Sequence, residues 1–152
     1  MPVDVSADTA DAHFRWPLRI YWEDTDAGGV VFYANYLKFF ERARTEWLRS
    51  LGCSQQALRE QTGAIFVVTD TAVRYLQPAR LDDEIVVSVA LAEVGRVRLT
   101  LDQVAWRGDT RLAEGRIRVA CVDAAHFKPC ALPASLLARL ISSRLSPNPH
   151  ST

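Results

Sequence analysis

The sequence predicts an α+β domain in which a five-stranded antiparallel sheet wraps around one long central helix. Three observations predict it. From Tyr36 to Leu51 the apolar residues recur as Tyr36, Phe39, Phe40, Ala43, Trp47 and Leu51, the i, i+3, i+4, i+7 rhythm of one helical face. Beyond Gly63 the period changes to two, in runs separated by turn residues. The inward side of the last run is built of small residues, and Ala113 and Gly115 there let a sheet come close to a helix carrying Phe39, Phe40 and Trp47.

Taken in order, residues 1–13 read as a flexible extension and 14–143 as a single domain. Phe14 to Trp22 forms a first strand, with Pro17 tolerable near its start or on an edge. Glu23-Asp24-Thr25-Asp26 is a polar cluster that ends it, and Ala27-Gly28-Gly29 allows a tight turn with close backbone approach. The long helix follows, with Asn35 as its N-cap and Gly52 at its C′ position. Its polar face carries Lys38, Glu41, Arg42, Arg44, Thr45 and Arg49. Ser54 caps a short helix over Gln55 to Gln61, which Gly63 ends. Ala64 to Leu76 is rich in Val, Phe, Ile and Thr and reads as a full-length strand. Pro78 and the Leu81-Asp82-Asp83-Glu84 run break it. Ile85 to Val94 is a third strand, with Ile85, Val87, Val89 and Leu91 on one face. Gly95-Arg96 turns the chain into a fourth, Val97 to Trp106, and Gly108-Asp109 into a fifth, Leu112 to Val122. Leu136 to Leu140 suggests a last short helix, and 144–152 a flexible tail.

Bulk properties exclude several classes. The 152 residues carry 18 Lys plus Arg against 18 Asp plus Glu, which argues against a broad nucleic-acid-binding face. No apolar run is long enough to span a bilayer. The acidic start, MPVDVSADTADAH, lacks the basic end and apolar core of a signal peptide, so a cytoplasmic location is expected. Cys53, Cys121 and Cys130 match neither a zinc site nor a CxxC redox pair and read as buried or surface thiols. His13, His126 and His150 are isolated in sequence, so no metal site is expected, and the Asp24-x-Asp26 pair lacks the later ligands of a calcium loop.

The chemistry concentrates at Asp26, a short turn before a helix N-terminus, where backbone N–H groups and the helix dipole point outward. A carboxylate supplies a nucleophile or a base, and free N–H groups stabilise an oxyanion. Acidic residues also cap turns, so residue type alone leaves Asp26 between a capping and a catalytic role. Asp24, two residues earlier, projects to the same side in an extended segment and reads as a supporting group. Arg96 and Arg98 at a hairpin are candidates for phosphate contacts.

The stretch RIYWEDTDAGGVVFYANYLKFFERARTEWL resembles the signature of the 4-hydroxybenzoyl-CoA thioesterase family of hotdog-fold proteins, and within it the branch associated with the Tol–Pal envelope system. The T-D-x-x-G-V-V-x-x-x-x-Y pattern is met by Thr25, Asp26, Gly29, Val30, Val31 and Tyr36. YLQPARLDDEI and CVDAAHFKPCALP extend the resemblance over nearly the whole chain. The resemblance implies a hotdog fold and hydrolysis of an acyl-CoA thioester with no metal and no cofactor, CoA being part of the substrate. It implies Asp26 as the catalytic carboxylate, the Tyr33 backbone N–H as the oxyanion donor, and a homodimer or homotetramer. Tyr33 departs from the histidine usual in that branch, so no imidazole role carries over, whereas a main-chain donor does not depend on the side chain. Arg96 is then the candidate for the CoA phosphates. Two further functions compete: a non-hydrolytic module that binds acyl-CoA or an acyl carrier protein, and a hotdog dehydratase. The dehydratase needs a histidine near the long helix, and none lies between His13 and His126.

Overall fold

The computed structural model describes residues 14–145. The expected extension over 1–13 and residues 146–152 of the expected tail lie outside the described residues. Five strands, β1 (Phe14–Arg19), β2 (Ala64–Tyr75), β3 (Glu84–Val94), β4 (Arg98–Arg107) and β5 (Thr110–Asp123), form one antiparallel sheet in the order β1-β3-β4-β5-β2. Helices α1 (Asn35–Ser50), α2 (Gln55–Thr62) and α3 (Ala134–Leu145) complete the fold.

The sheet curls around α1 because one stripe of that helix is apolar. Tyr36, Phe39, Phe40, Ala43 and Trp47 are buried, joined by Leu48. Against them pack Ile85, Val87 and Val89 of β3, Leu99 and Leu101 of β4, and Ala113 and Ile117 of β5. The helix comes this close because Gly115 has no side chain: a Cβ there would lie 2.8 Å from Phe40 Cε2. The expected role of the small-residue strand is therefore met.

Several boundaries differ from expectation. The first strand stops at Arg19, and Trp22–Asp24 is a 3-10 turn. Ile20 keeps its place in the core, where its N–H bonds the Asp83 carbonyl. Asn35 is the first residue of α1 and not its cap; Ala34 holds the cap position and makes no side-chain bond. At the other end the Gly52 N–H reaches the Arg49 carbonyl and the Cys53 N–H reaches Leu48, closing α1 as a Schellman turn. The Ser54 Oγ accepts the Ala57 N–H and Gly63 ends α2, as expected. The last helix runs over twelve residues, longer than expected, and continues two residues into the stretch expected as tail.

The two rims of the sheet are β1 and β2. β1 is six residues long and contains Pro17. β2 is twelve residues long, with a register shift between Val68 and Asp70, and Val68 is exposed.

Candidate active site

The acidic turn is built by short-range hydrogen bonds. The Asp24 carboxylate folds back to accept the Tyr21 N–H at 2.8 Å and is buried. Its backbone carbonyl accepts two donors, the Phe32 N–H at 3.0 Å and Asn35 Nδ2 at 2.9 Å. Asn35 thus ties the start of α1 to the turn, a role its residue type did not disclose. Asp24 and Asp26 do not share a side, because the 3-10 turn rotates Asp24 inward and leaves Asp26 exposed.

The Asp26 segment is a hairpin in miniature. Thr25 bridges Val31, and Val30 bridges Arg80. The Asp26 N–H bonds the Val30 carbonyl at 2.8 Å, and the Gly29 N–H bonds the Asp26 carbonyl at 3.0 Å. Gly29 has φ +78°, a conformation L side chains rarely adopt. Asp26 Oδ1 accepts the Gly28 N–H at 2.8 Å and lies 3.5 Å from the Val30 nitrogen. Its Oδ2 accepts no hydrogen bond from the described residues.

The chain then enters α1 with donors left over. The Phe32, Asn35 and Tyr36 N–H groups all have backbone acceptors, whereas the Tyr33 and Ala34 N–H groups have none among the described residues. The turn therefore presents a carboxylate oxygen and, seven residues on, an unused main-chain donor at a helix N-terminus. Acyl transfer calls for groups of these two kinds, one to attack or to activate water and another to hold the developing oxyanion.

Aromatic rings surround this end of the molecule. Tyr33 is exposed, and its ring meets Tyr75 edge-on at 6.0 Å; Tyr75 in turn meets Tyr36 at 5.5 Å. Burial raises the Tyr36 phenol, whose oxygen accepts the Ala79 N–H. Tyr21 and Trp22 stand in solvent next to the turn, Trp22 with 83% of its surface exposed. None of this clustering was visible from residue order.

Arg96 is exposed at the β3–β4 turn. Asp26 sits against the residues that lead into β3 at its other end, so within one chain the two are on the order of 30 Å apart at about 3.3 Å per strand residue. Cys121 and Cys130, unconnected in sequence spacing, lie with their sulfurs 3.5 Å apart, and burial together with that neighbour pushes the Cys121 thiol up to about 12. No group of three or more metal-ligating side chains occurs among the described residues. None of their helices is long and apolar enough to cross a membrane.

A five-stranded antiparallel sheet closed around one helix, with an acidic turn at that helix's N-terminus, defines the hotdog class of thioesterase-like proteins. Residues 20–140 match the model of the Thioesterase-like superfamily, and the chain belongs to that family. It is 44% identical over 128 residues to the acyl-CoA thioesterase YbgC of Haemophilus influenzae, covering 84% of this chain and 94% of that one. It is 47% identical over 126 residues to the acyl-CoA thioester hydrolase YbgC of Escherichia coli, covering 82% and 93%. Among solved structures it resembles a probable thioesterase from Bartonella henselae, with TM-score 0.74 and 30% identity over 78% of this chain and 98% of that one.

Proposed function

We propose that the protein is an acyl-CoA thioesterase that hydrolyses an acyl-CoA thioester to a free acid and CoA. The observation that carries this is the exposed Asp26 carboxylate, with one oxygen unengaged by the described residues, in a chain of the thioesterase-like family. In the nucleophilic route Asp26 Oδ2 attacks the thioester carbonyl carbon, and the carbonyl oxygen takes its negative charge against the Tyr33 N–H. The C–S bond breaks, CoA leaves as the thiolate and takes a proton from water, and a mixed anhydride remains on Asp26. Water then cleaves the anhydride, releasing the acid and restoring the carboxylate. In the general-base route Asp26 takes a proton from water, whose oxygen attacks the carbonyl directly. Neither route calls on a metal or a cofactor. We favour the nucleophile, because the sequence offers no second base near Asp26.

A thioester on an acyl carrier protein is the alternative donor. Three free thiols suit the reducing cytoplasm as the place of action. The long open rim of β2 suits a homodimer sharing one continuous sheet, and a homotetramer built from two such pairs. Arg96 then serves CoA phosphates only at a site completed by a second chain, given its distance from Asp26 in its own.

A panel of acyl-CoA substrates with a thiol-detecting assay tests the activity. No thiol release from any substrate, with acyl-CoA still bound, would leave a non-hydrolytic binding module in its place. Asp26→Asn tests the site. The amide oxygen can still accept the Gly28 N–H, so the melting profile is expected to stay put while kcat falls roughly a hundredfold or more. A folded variant keeping more than about a tenth of wild-type kcat would overturn the assignment, since one tenfold step is about 1.4 kcal/mol of barrier. Single turnover in heavy-oxygen water separates the routes. Label on Asp26 with an unlabelled first acid establishes the nucleophile, with water attacking Cγ of Asp26, whereas a base puts the label directly into the acid and leaves the enzyme unlabelled.

A further inference from the structure

Cys121, near the end of β5, is fully buried, whereas Cys130 stands half-exposed in the segment between β5 and α3. The chain brings them together by folding back on itself just past the strand. The Asp123 carboxylate accepts the His126 N–H at 2.6 Å and the Lys128 N–H at 3.2 Å, and the Asp123 N–H reaches the Lys128 carbonyl at 2.9 Å. Val122 and Pro129 are then antiparallel bridge partners, so Cys121 and Cys130 come next in register, directly opposite one another. The Cys130 N–H bonds the Cys121 carbonyl at 2.9 Å, which fixes that register. Opposed residues of antiparallel strands have Cα atoms about 4.5–5.5 Å apart, within the roughly 4.4–6.8 Å that a disulfide spans. The two sulfurs lie 3.5 Å apart, touching but not bonded. Closing them to a bond of about 2.05 Å asks for side-chain rotation and no backbone movement.

The two thiols are not equivalent. Cys121 is sealed in the core, and its burial and its neighbour both keep it protonated. Cys130 is the one that solvent reaches. Among the described residues no third metal-ligating side chain joins them, and Cys53 makes no sulfur–sulfur contact. Beyond Cys130 the Leu132 N–H bonds the Arg96 carbonyl, and the chain then enters α3, whose Leu136 and Leu140 are buried in the core. A covalent link at Cys130 therefore anchors the root of α3 to β5. The pair stands at the opposite end of the sheet from the Asp26 turn, so the link bears on the fold and not on the reacting atoms.

We propose that Cys121 and Cys130 are a redox-active dithiol, a modification site that hydrogen peroxide closes into a disulfide anchoring α3 and that thiol reductants reopen. The Cys130 sulfur, as thiolate, attacks one peroxide oxygen. The O–O bond breaks, hydroxide leaves and takes a proton to become water, and Cys130 becomes a sulfenic acid. The Cys121 sulfur then attacks the Cys130 sulfur while its thiol proton passes to the departing hydroxyl, which leaves as a second water. One peroxide is thereby reduced to two waters as two thiols are oxidised to one disulfide. A reducing thiol reverses the bond by exchange.

The full chain, reduced and then exposed to a few equivalents of hydrogen peroxide, tests the site. Titration of the denatured protein with a chromogenic thiol reagent is expected to find one of the three thiols remaining, and all three after dithiothreitol. An aspartate-directed protease cuts before Asp123, between the two cysteines, so mass spectrometry of the digest is expected to show two peptides joined through Cys121 and Cys130. The oxidised protein is expected to melt several °C above the reduced one, because the bridge restricts the unfolded chain. Cys53→Ser keeps both the bridge and the shift. Cys130→Ser, at the half-exposed partner, loses both and gives a melting point indifferent to peroxide. Three thiols surviving peroxide, a bridge through Cys53 or between chains, Cys130 driven to the sulfinic acid with no bridge, or equal melting of the oxidised and reduced forms would each overturn the proposal. If Cys130→Ser fails to fold, the peptide map and the reversible shift of the wild type decide it.

Discussion

Replacing Gly115 by Ala puts one methyl group where sheet and helix already touch. The new Cβ would lie 2.8 Å from Phe40 Cε2, 3.2 Å from Ile117 Cδ1 and 3.3 Å from Phe40 Cδ2. Carbon atoms prefer separations of about 3.5–4.0 Å, so the ring must retreat by more than half an ångström. It has little room to do so. Phe40 is fully buried, and its carbonyl is tied to Gln103 across the same contact. Overpacking of this kind costs about 1–3 kcal/mol. For a chain of this size each kcal/mol moves Tm by about 2–4 °C, so the expected fall is about 2–12 °C. Differential scanning calorimetry reads it directly. Pairing the change with Phe40→Leu removes the ring carbon the methyl strikes, so the double variant is expected to lose less than the sum of the singles. A Gly115→Ala protein melting within about 1 °C of wild type, or strict additivity in the pair, would refute the claim that this glycine sets the helix–sheet distance.

Sedimentation at low micromolar concentration is expected to show a dimer or tetramer, and Arg96→Ala to raise KM at low salt with kcat kept; a fully active monomer would remove both proposals. Gly28→Ala places a Cβ 3.2 Å from Asp26 Oδ1 and is expected to lower kcat several-fold with Tm unchanged, because carboxylate placement is what the rate depends on; unchanged kcat would mean the carboxylate tolerates displacement. At Asp83 burial opposes ionisation, but the Arg80 N–H and the Arg107 guanidinium at 2.7 Å outweigh it and hold the carboxyl below its usual range. A folded-state value below the unfolded ~3.9 stabilises the fold above about pH 4, and that contribution is lost as pH falls through the lower value. The Tm gap between wild type and Asp83→Asn is therefore expected to shrink between pH 7 and pH 3, and a constant gap would contradict it.

Much of the architecture was legible because it depends on periodicity. The α1 stripe and the alternation along β3 and β5 determined which faces meet, and the small residues of β5 told how closely. The Asp26 turn was legible because glycine and acidic residues leave few alternatives there. What stayed hidden depends on contacts across long separations. Arg44 sits four residues from both Phe40 and Leu48, on the flank of the apolar stripe. What takes it inward is Gln103, 59 residues away, and a helical wheel does not contain that partner. Likewise the run through Ile20 to Trp22 looks extended until Asp24 folds back onto the Tyr21 N–H. Asn35 has the composition of a cap, but its amide finds the Asp24 carbonyl instead, eleven residues upstream.

The unlike rims of the sheet limit how many copies can add to it. A second chain that zips onto β2 of the first uses up both of the long rims, and what remains facing outward is β1 at either end. That strand is short, and Pro17 in it has no N–H to offer a newcomer. On the proposed pairing, addition along the sheet would stop at two, a closed count rather than a growing ribbon. Any larger assembly has to be made by stacking faces, with side chains rather than backbone deciding whether it forms.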